Sequence, residues 1–138
     1  MNPKENQPFF HVIMPLYSDK LSDQKIEIIR SIADDHNLLA HFPTYSKDSP
    51  VFDLNATIRT YQKALFILAD LSFERPSCYY ELGIAEASGS IIYLIAAKGT
   101  EIHQTTHKNS LYFYSDLDQL REIIIEILVK DKTARKVN

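Results

Sequence analysis

The stretch "ALFILADLSFERPSCYYELGIAEASGSIIYLIAA", residues 64–97, contains two apolar runs separated by a polar break and a helical segment. The runs at 65–71 and 91–97 are of strand length and apolar at consecutive positions, which is typical of strands buried on both faces. The segment 77–88 between them is predicted to be a helix, with Gly89 just beyond its C-cap. A strand, a helix and a second strand in this order predict a parallel pair joined by a crossover helix.

The same alternation extends along the whole chain. The other predicted strands are 9–16, 37–42 and 111–114, and the other predicted helices are 18–36, 53–64 and 116–131. Asp53 is the expected N-cap of the second helix, and Asp19, Ser22 and Asp23 are alternative caps for the first. This order predicts a flavodoxin-like three-layer α/β sandwich with a five-stranded parallel sheet in the order 2-1-3-4-5. Residues 9–131 are predicted to form a single domain between a flexible tail at 1–8 and a loose basic tail at 132–138.

The composition excludes several classes of protein. The chain has 138 residues and a net charge of −3, so no positive field indicates nucleic-acid binding. The single cysteine, Cys78, excludes an internal disulfide and fits a reducing compartment. The first ten residues do not resemble a signal peptide, and the apolar run at 91–97 is too short to cross a bilayer. We therefore expect a cytoplasmic protein whose partners are neither nucleic acids nor membranes.

Two carboxylates lie where a ligand is expected. In a sheet of order 2-1-3-4-5, strand order reverses between strands one and three, and ligands bind at the carboxyl ends of those strands. Asp70 ends the third strand, and Glu81 follows in the next helix, whose N-cap is Ser77 unless Pro76 is the first helical residue. Structural roles are also open, with Asp70 capping turn amides and Glu81 compensating the helix dipole. A pair of carboxylates at one cleft is also the arrangement that cleaves glycosidic bonds.

The segment "FILADLSFERPSCYYELGIAEASGSIIYLI" resembles the nucleoside 2-deoxyribosyltransferase-like superfamily. Its members typically have a strand ending in "ADL", a short loop, the pattern N-x-x-Y/F-E-L-G-x-A-x-A-x-G and another strand. The earlier block "HVIMPLYSDK" is similar to the opening of the same group, so the resemblance covers most of residues 10–96. The resemblance implies a homo-oligomer whose small-molecule partner is a nucleoside, a nucleotide or NAD.

The resemblance also implies roles for three residues. Glu81, the glutamate of "E-L-G", matches the nucleophile that attacks the anomeric carbon of the sugar. Asp70 matches an acid that contacts the base or assists the leaving group, and Tyr17 is the nearest match to a tyrosine that positions the nucleophile. The residues predicted to bind the substrate lie in or beside the loops after strands one and three: Pro15, Ser72, Arg75 and Ser77. No cofactor is expected.

The loops depart from the family pattern. Glu74 and Arg75 stand where transferases often have another aspartate and hydrolases a small phosphate-binding residue, and the first loop lacks the glycines of nucleotide-hydrolysing members. The substrate therefore stays open. Two alternatives stay open with it: a TIR-like domain that cleaves NAD through a helix-borne glutamate, and a non-catalytic nucleotide-sensing module.

Two further groups are predicted to have structural roles. Cys78 is not followed by the "C-x5-R" loop of a phosphatase and is predicted to be a packing residue. His103 and His107 are four residues apart, a spacing that suits a metal on a helix. Their segment, "EIHQTTHK", is predicted to be a loop, so no metal is expected there.

Overall fold

The computed structural model describes residues 6–16, 19–43, 51–103, 105–107 and 110–137. The strands are β1 (Phe9–Ile13), β2 (Leu39–His41), β3 (Ile67–Asp70), β4 (Ile92–Ala97) and β5 (Leu111–Tyr114). The helices are α1 (Ser22–Asp35), α2 (Leu54–Lys63), α3 (Pro76–Ala87) and α4 (Leu117–Val137). A short 3₁₀ turn, Ser72–Glu74, connects β3 to α3.

All five strands lie in one parallel sheet of order β2-β1-β3-β4-β5, which confirms the predicted flavodoxin-like fold. Alternate side chains of a strand point to opposite faces. Leu68 of β3 accordingly packs on the side of α1 and α4, whereas Ile67 and Ala69 pack on the side of α2 and α3. The sheet is therefore the middle of three layers, and Asp70 lies at its carboxyl edge.

The amino end of α3 follows the second of the two predicted starts. Arg75 is the N-cap and Pro76 is the first helical residue, so Ser77 is not the N-cap. Proline is favoured there because its fixed φ suits a helix and its missing N–H would have no partner in the first turn. Glu81 consequently lies in the second turn, beyond the first turn in which a carboxylate compensates the helix dipole.

Two other predicted helix ends are confirmed. The side chain of Asp53 caps α2 by accepting the amide hydrogen of Ala56 over 2.9 Å. Gly89 follows the C-cap of α3 with a φ of 75°, and the amide of Ser90 donates to the carbonyl of Ala85 over 3.1 Å. This bond closes the helix in the manner typical of a glycine in the left-handed conformation.

Helix α4 continues beyond its predicted end. It runs to Val137, so the described part of the predicted tail, residues 132–137, belongs to the helix. The extra turns are held by Arg135, whose Nε donates to Oδ2 of Asp131 over 2.7 Å. Asp131 is buried and also accepts the hydroxyl hydrogen of Tyr93 over 3.1 Å, which ties the end of the helix to β4.

Strand β1 is shorter than its predicted range of 9–16. It ends at Ile13, two residues before Pro15, which has no N–H to continue a ladder. Among the described residues, no helix combines the length and the apolar character that crossing a membrane requires.

Candidate functional site

Asp70 is buried at the carboxyl end of β3 and accepts hydrogen bonds at both carboxylate oxygens. Its Oδ1 accepts from the amide of Ser72 over 3.0 Å and from the hydroxyl of Ser72 over 2.6 Å. Its Oδ2 accepts from the hydroxyl of Tyr114 over 2.7 Å. The Ser72 hydroxyl oxygen in turn accepts the amide hydrogen of Ala97 over 2.7 Å. These four residues, the Asp70 network, connect the carboxyl ends of β3, β4 and β5 through satisfied polar groups.

A buried lysine of α1 completes this network. Lys25 is only 3% exposed, its Nζ forms an ion pair with Asp19, and it lies 3.8 Å from Oδ2 of Asp70. The same Nζ lies 5.0 Å from the centroid of the Tyr114 ring. Asp19, one of the predicted alternative caps, accepts the amide hydrogen of Leu21 over 2.9 Å at the start of the helix. One cation therefore lies between two buried carboxylates from different parts of the chain.

Sequence reasoning missed Lys25 and Tyr114 as members of the site. A signal existed for Lys25, because it occupies the same helix face as Ile28 and Ile29, where an apolar residue is expected. A lysine in an apolar stripe indicates a buried counter-charge. No comparable signal marks Tyr114, since a tyrosine at the end of a strand is common as simple packing.

The turn between β3 and α3 is strained. Phe73 and Glu74 have φ values of 66° and 52°, in the left-handed region that costs a non-glycine residue about 1–2 kcal/mol. Ser72, the first residue of the turn, is held by the Asp70 network, while the Phe73 side chain is 53% exposed. The turn leads directly into α3, so the network fixes the start of the helix that carries Glu81.

Glu81 is half-buried on α3, near Tyr61 of α2. Burial raises the pKa of its carboxyl group above the ordinary value. Burial first and the charge of Glu81 second also raise the pKa of the Tyr61 phenol. For the Cys78 thiol, burial and then the charges of Glu81 and Asp70 raise the pKa to about 11. Both carboxylates therefore lie near Cys78, which is a protonated, buried thiol at neutral pH.

The residues predicted to bind the substrate differ in their exposure. Pro15 and Ser72 are buried, and the Ser72 hydroxyl is already occupied in the Asp70 network. Arg75 and Ser77 are exposed at the amino end of α3. Tyr17 lies outside the described residues. Of the predicted set, Arg75 and Ser77 are thus the described side chains whose polar groups are open to solvent.

An open cleft of about 1000 Å³ lies between α3 and the loop that follows β4. Tyr79 and Glu86 line it from the helix, and Ile102 and His103 line it from the loop. Glu81 is not part of this lining. The cleft and Glu81 therefore lie on different faces of the same helix.

His103 and His107, the pair weighed as metal ligands, contact different carboxylates. Nε2 of His103 lies 2.6 Å from Oε1 of Glu74, whereas Nδ1 of His107 lies 3.4 Å from Oε1 of Glu86. Glu86 also accepts the hydroxyl hydrogen of Thr105 over 2.8 Å. These contacts fasten the loop to α3 and to the turn that precedes it. Within the described ranges, no three His, Cys, Asp or Glu side chains are grouped so as to hold a metal ion.

Proteins of known structure share this arrangement of sheet and helices. A CMP N-glycosidase from Clostridium botulinum, BcmB, matches with a TM-score of 0.61 over 83% of this chain and 97% of that one. The two proteins share a fold. The sequence identity is 15%, so the likeness concerns the fold alone. No family model matches the chain, and no curated protein matches its sequence.

A second structure shows how far the fold extends across activities. The constitutive lysine decarboxylase of E. coli matches with a TM-score of 0.55 at 15% identity over 91% of this chain. The match covers 17% of that enzyme, so this chain corresponds to a small part of it. Because the activities of the two neighbours differ, the reaction has to be argued from the residues of the site.

Proposed function

We propose that this protein cleaves the N-glycosidic bond of a nucleoside or nucleotide, with Glu81 as the nucleophile. The observation that carries the proposal is the setting of Glu81, half-buried on α3 and close to the carboxyl edge of the sheet through Cys78. The fold shared with a CMP N-glycosidase supports the class of reaction. The block "YELGIAEA" supports the choice of Glu81.

The reaction proceeds in two displacements at C1′. A carboxylate oxygen of Glu81 forms a bond to C1′ while the C1′–N bond breaks, and the electron pair of that bond leaves with the base. The base then takes up a proton from solvent. In the second step water attacks C1′ and loses a proton to solvent, while the bond between C1′ and the Glu81 oxygen breaks and releases the carboxylate. A second base in place of water gives transfer. In both steps the carboxylate stabilises the positive charge that develops on the sugar.

The described neighbours of Glu81 do not neutralise its charge. Tyr61 and Cys78 keep their protons, because burial and Glu81 itself raise the pKa of each group. Among the described residues, no lysine, arginine or histidine forms an ion pair with Glu81. A carboxylate without a counter-ion gains most from a cationic transition state, because the surrounding dielectric is lower than that of water.

Asp70 has a positioning role in this proposal. A group that protonates or orients the base must reach it, but Asp70 is 3% exposed and both of its oxygens are occupied. We therefore assign Asp70 to holding the turn before α3 and not to proton transfer. In this role Asp70 does not need to contact the base during the chemical step.

The amino end of α3 suits a phosphate. Arg75 and Ser77 are exposed there, at the positive end of the helix dipole. A guanidinium group binds phosphate with paired hydrogen bonds. A 5′-monophosphate is accordingly our preferred substrate over the free nucleoside.

The test is base release from a panel of nucleosides, 5′-monophosphates and NAD, followed by chromatography. We expect free base from a monophosphate, and a loss of kcat of about 10³-fold or more in Glu81→Gln. Glu126→Gln, which changes an exposed glutamate of α4, is the matched control and should keep full activity. Base release that survives Glu81→Gln unchanged would contradict the assignment of the nucleophile.

The alternatives correspond to other outcomes of the same panel. Release of nicotinamide from NAD alone would favour a TIR-like activity. Nucleotide binding without any base release would favour a sensing module. The homo-oligomer that the resemblance implies belongs to the proposal as well, and sedimentation velocity tests it.

A further inference from the structure

We propose that Lys25 is a positioning residue of the site, because its buried ammonium group anchors the strained turn that sets the position of Glu81. The kinetic consequence rests on the proposed role of Glu81. The structural consequence does not, so the two parts are tested separately.

The ammonium group of Lys25 is surrounded by groups that attract a positive charge. The groups that face its ammonium are the carboxylates of Asp19 and Asp70 and the ring of Tyr114. Both carboxylates are buried, so neither is well screened by water. One ammonium therefore attracts two carboxylates, one that precedes α1 and one at the end of β3, and cross-links these parts of the chain.

Asp70 connects Lys25 to the strained turn. Lys25 attracts Oδ2 of Asp70, while Oδ1 receives both the amide and the hydroxyl of Ser72. These contacts fix the orientation of the carboxylate and the position of Ser72. The next two residues, Phe73 and Glu74, are in left-handed conformations that persist only where neighbouring contacts enforce them. The ion pair of Lys25 is the charged member of those contacts.

The strained turn is followed directly by the helix that carries Glu81. The amide of Glu74 donates to the carbonyl of Leu71 over 3.2 Å, and the amide of Cys78 donates to the carbonyl of Arg75 over 3.1 Å. The turn and the first turn of α3 are thus each closed by a hydrogen bond, and they adjoin directly along the chain at Glu74 and Arg75. A displacement of about 1 Å at a reacting group costs on the order of 10²-fold in rate, so loosening the turn lowers kcat.

The chain supplies a matched control at the opposite end of β4. Asp131 is also buried, also accepts a tyrosine hydroxyl, from Tyr93, and also pairs with a basic side chain, Arg135. Arg135→Met therefore removes a cation, itself 35% exposed, from a buried carboxylate tied to the amino end of β4. Lys25→Met removes a buried cation from the carboxylates beside the carboxyl end of β3.

The structural experiment is amide hydrogen exchange by NMR on the two variants. The reporters are the amides of Ser72 and Ala97, which donate to Asp70 and to the Ser72 hydroxyl. We expect Lys25→Met to speed their exchange by roughly tenfold or more, and Arg135→Met to leave it within about twofold of wild type. Unchanged exchange in Lys25→Met overturns the inference, whatever the activity of the protein.

The kinetic experiment uses the substrate found in the panel. We expect Lys25→Met to lower kcat by about 10²-fold with KM within about threefold, and Arg135→Met to keep both. An equal loss of kcat in the two variants indicates general destabilisation and overturns the inference. If Lys25→Met does not fold, Asp19→Asn/Lys25→Met removes one charge of each sign, and the same readouts apply. If the wild type releases no base, the proposed function fails and the exchange data alone decide.

Discussion

The hydroxyl of Tyr114 donates a hydrogen bond of 2.7 Å to Oδ2 of Asp70, which precedes it by 44 residues. The bond joins the edge strand β5 to β3, across β4. Burial first, and then the charge of Asp70, raise the pKa of the Tyr114 phenol. The phenol therefore keeps its proton and remains a donor at neutral pH.

Tyr114→Phe removes this donor and leaves a buried carboxylate oxygen with one partner fewer. We expect the free energy of unfolding to fall by about 1–3 kcal/mol, as measured by urea denaturation. Tyr112→Phe is the control in the same strand, because within the described ranges its hydroxyl has a single long contact, of 3.5 Å, with Lys130. Equal losses in the two variants would contradict the role given to Tyr114.

Phe73→Gly is expected to stabilise the protein. Glycine adopts a positive φ without strain, and the Phe73 side chain is exposed, so little burial is lost. We expect a gain of about 1 kcal/mol over Phe73→Ala, which keeps the strain, in the same unfolding assay. A Phe73→Ala variant as stable as Phe73→Gly would show that the turn carries no strain.

Stability is expected to fall at acid pH because of His11. Burial first, and then the charge of His41, lower the pKa of His11 to about 4 from an ordinary 6.5. The unfolded chain therefore binds a proton as the pH falls below 6.5, before the folded protein does, and folding loses up to ~3 kcal/mol between these values. His11→Gln cannot titrate, so its stability should vary less over this range. Parallel pH curves for wild type and variant would contradict the prediction.

The pH dependence of catalysis should report Glu81. Burial raises the pKa of this carboxyl group, and only the ionised form attacks C1′. The acid limb of kcat/KM, which reflects the free enzyme, should therefore lie above the value of about 4.3 that is usual for an exposed glutamate. An acid limb at or below that value would argue against Glu81 as the nucleophile.

The fold could be predicted from the sequence because its signals are local. Runs such as 65–71 and 91–97 are apolar on both faces, and Gly89 and Asp53 mark helix ends by their own chemistry. The differences from the prediction lie at helix ends. Helix α3 begins at Pro76 and does not use Ser77 as its N-cap, and an ion pair extends α4 past its predicted end.

The surroundings of the candidate site could not be predicted in the same way. Asp70 and Glu81 were selected from the topology and the motif. Two partners of Asp70, however, are distant along the chain: Lys25 lies 45 positions before it and Tyr114 lies 44 positions after it. Such partners depend on packing between elements that no short pattern records. The left-handed conformation of Phe73 is likewise invisible, because phenylalanine gives no signal for a positive φ.

Strand β4 is tied to other elements by polar groups near both of its ends, through the Tyr93 hydroxyl to Asp131 and through the Ala97 amide to Ser72. Its side chains are apolar on both faces, so sliding the strand along its neighbours would still bury aliphatic groups. Hydrophobic pattern alone therefore specifies its register weakly. The two hydrogen bonds therefore help to fix the register of β4, because a strand shifted along its neighbours would lose both of them.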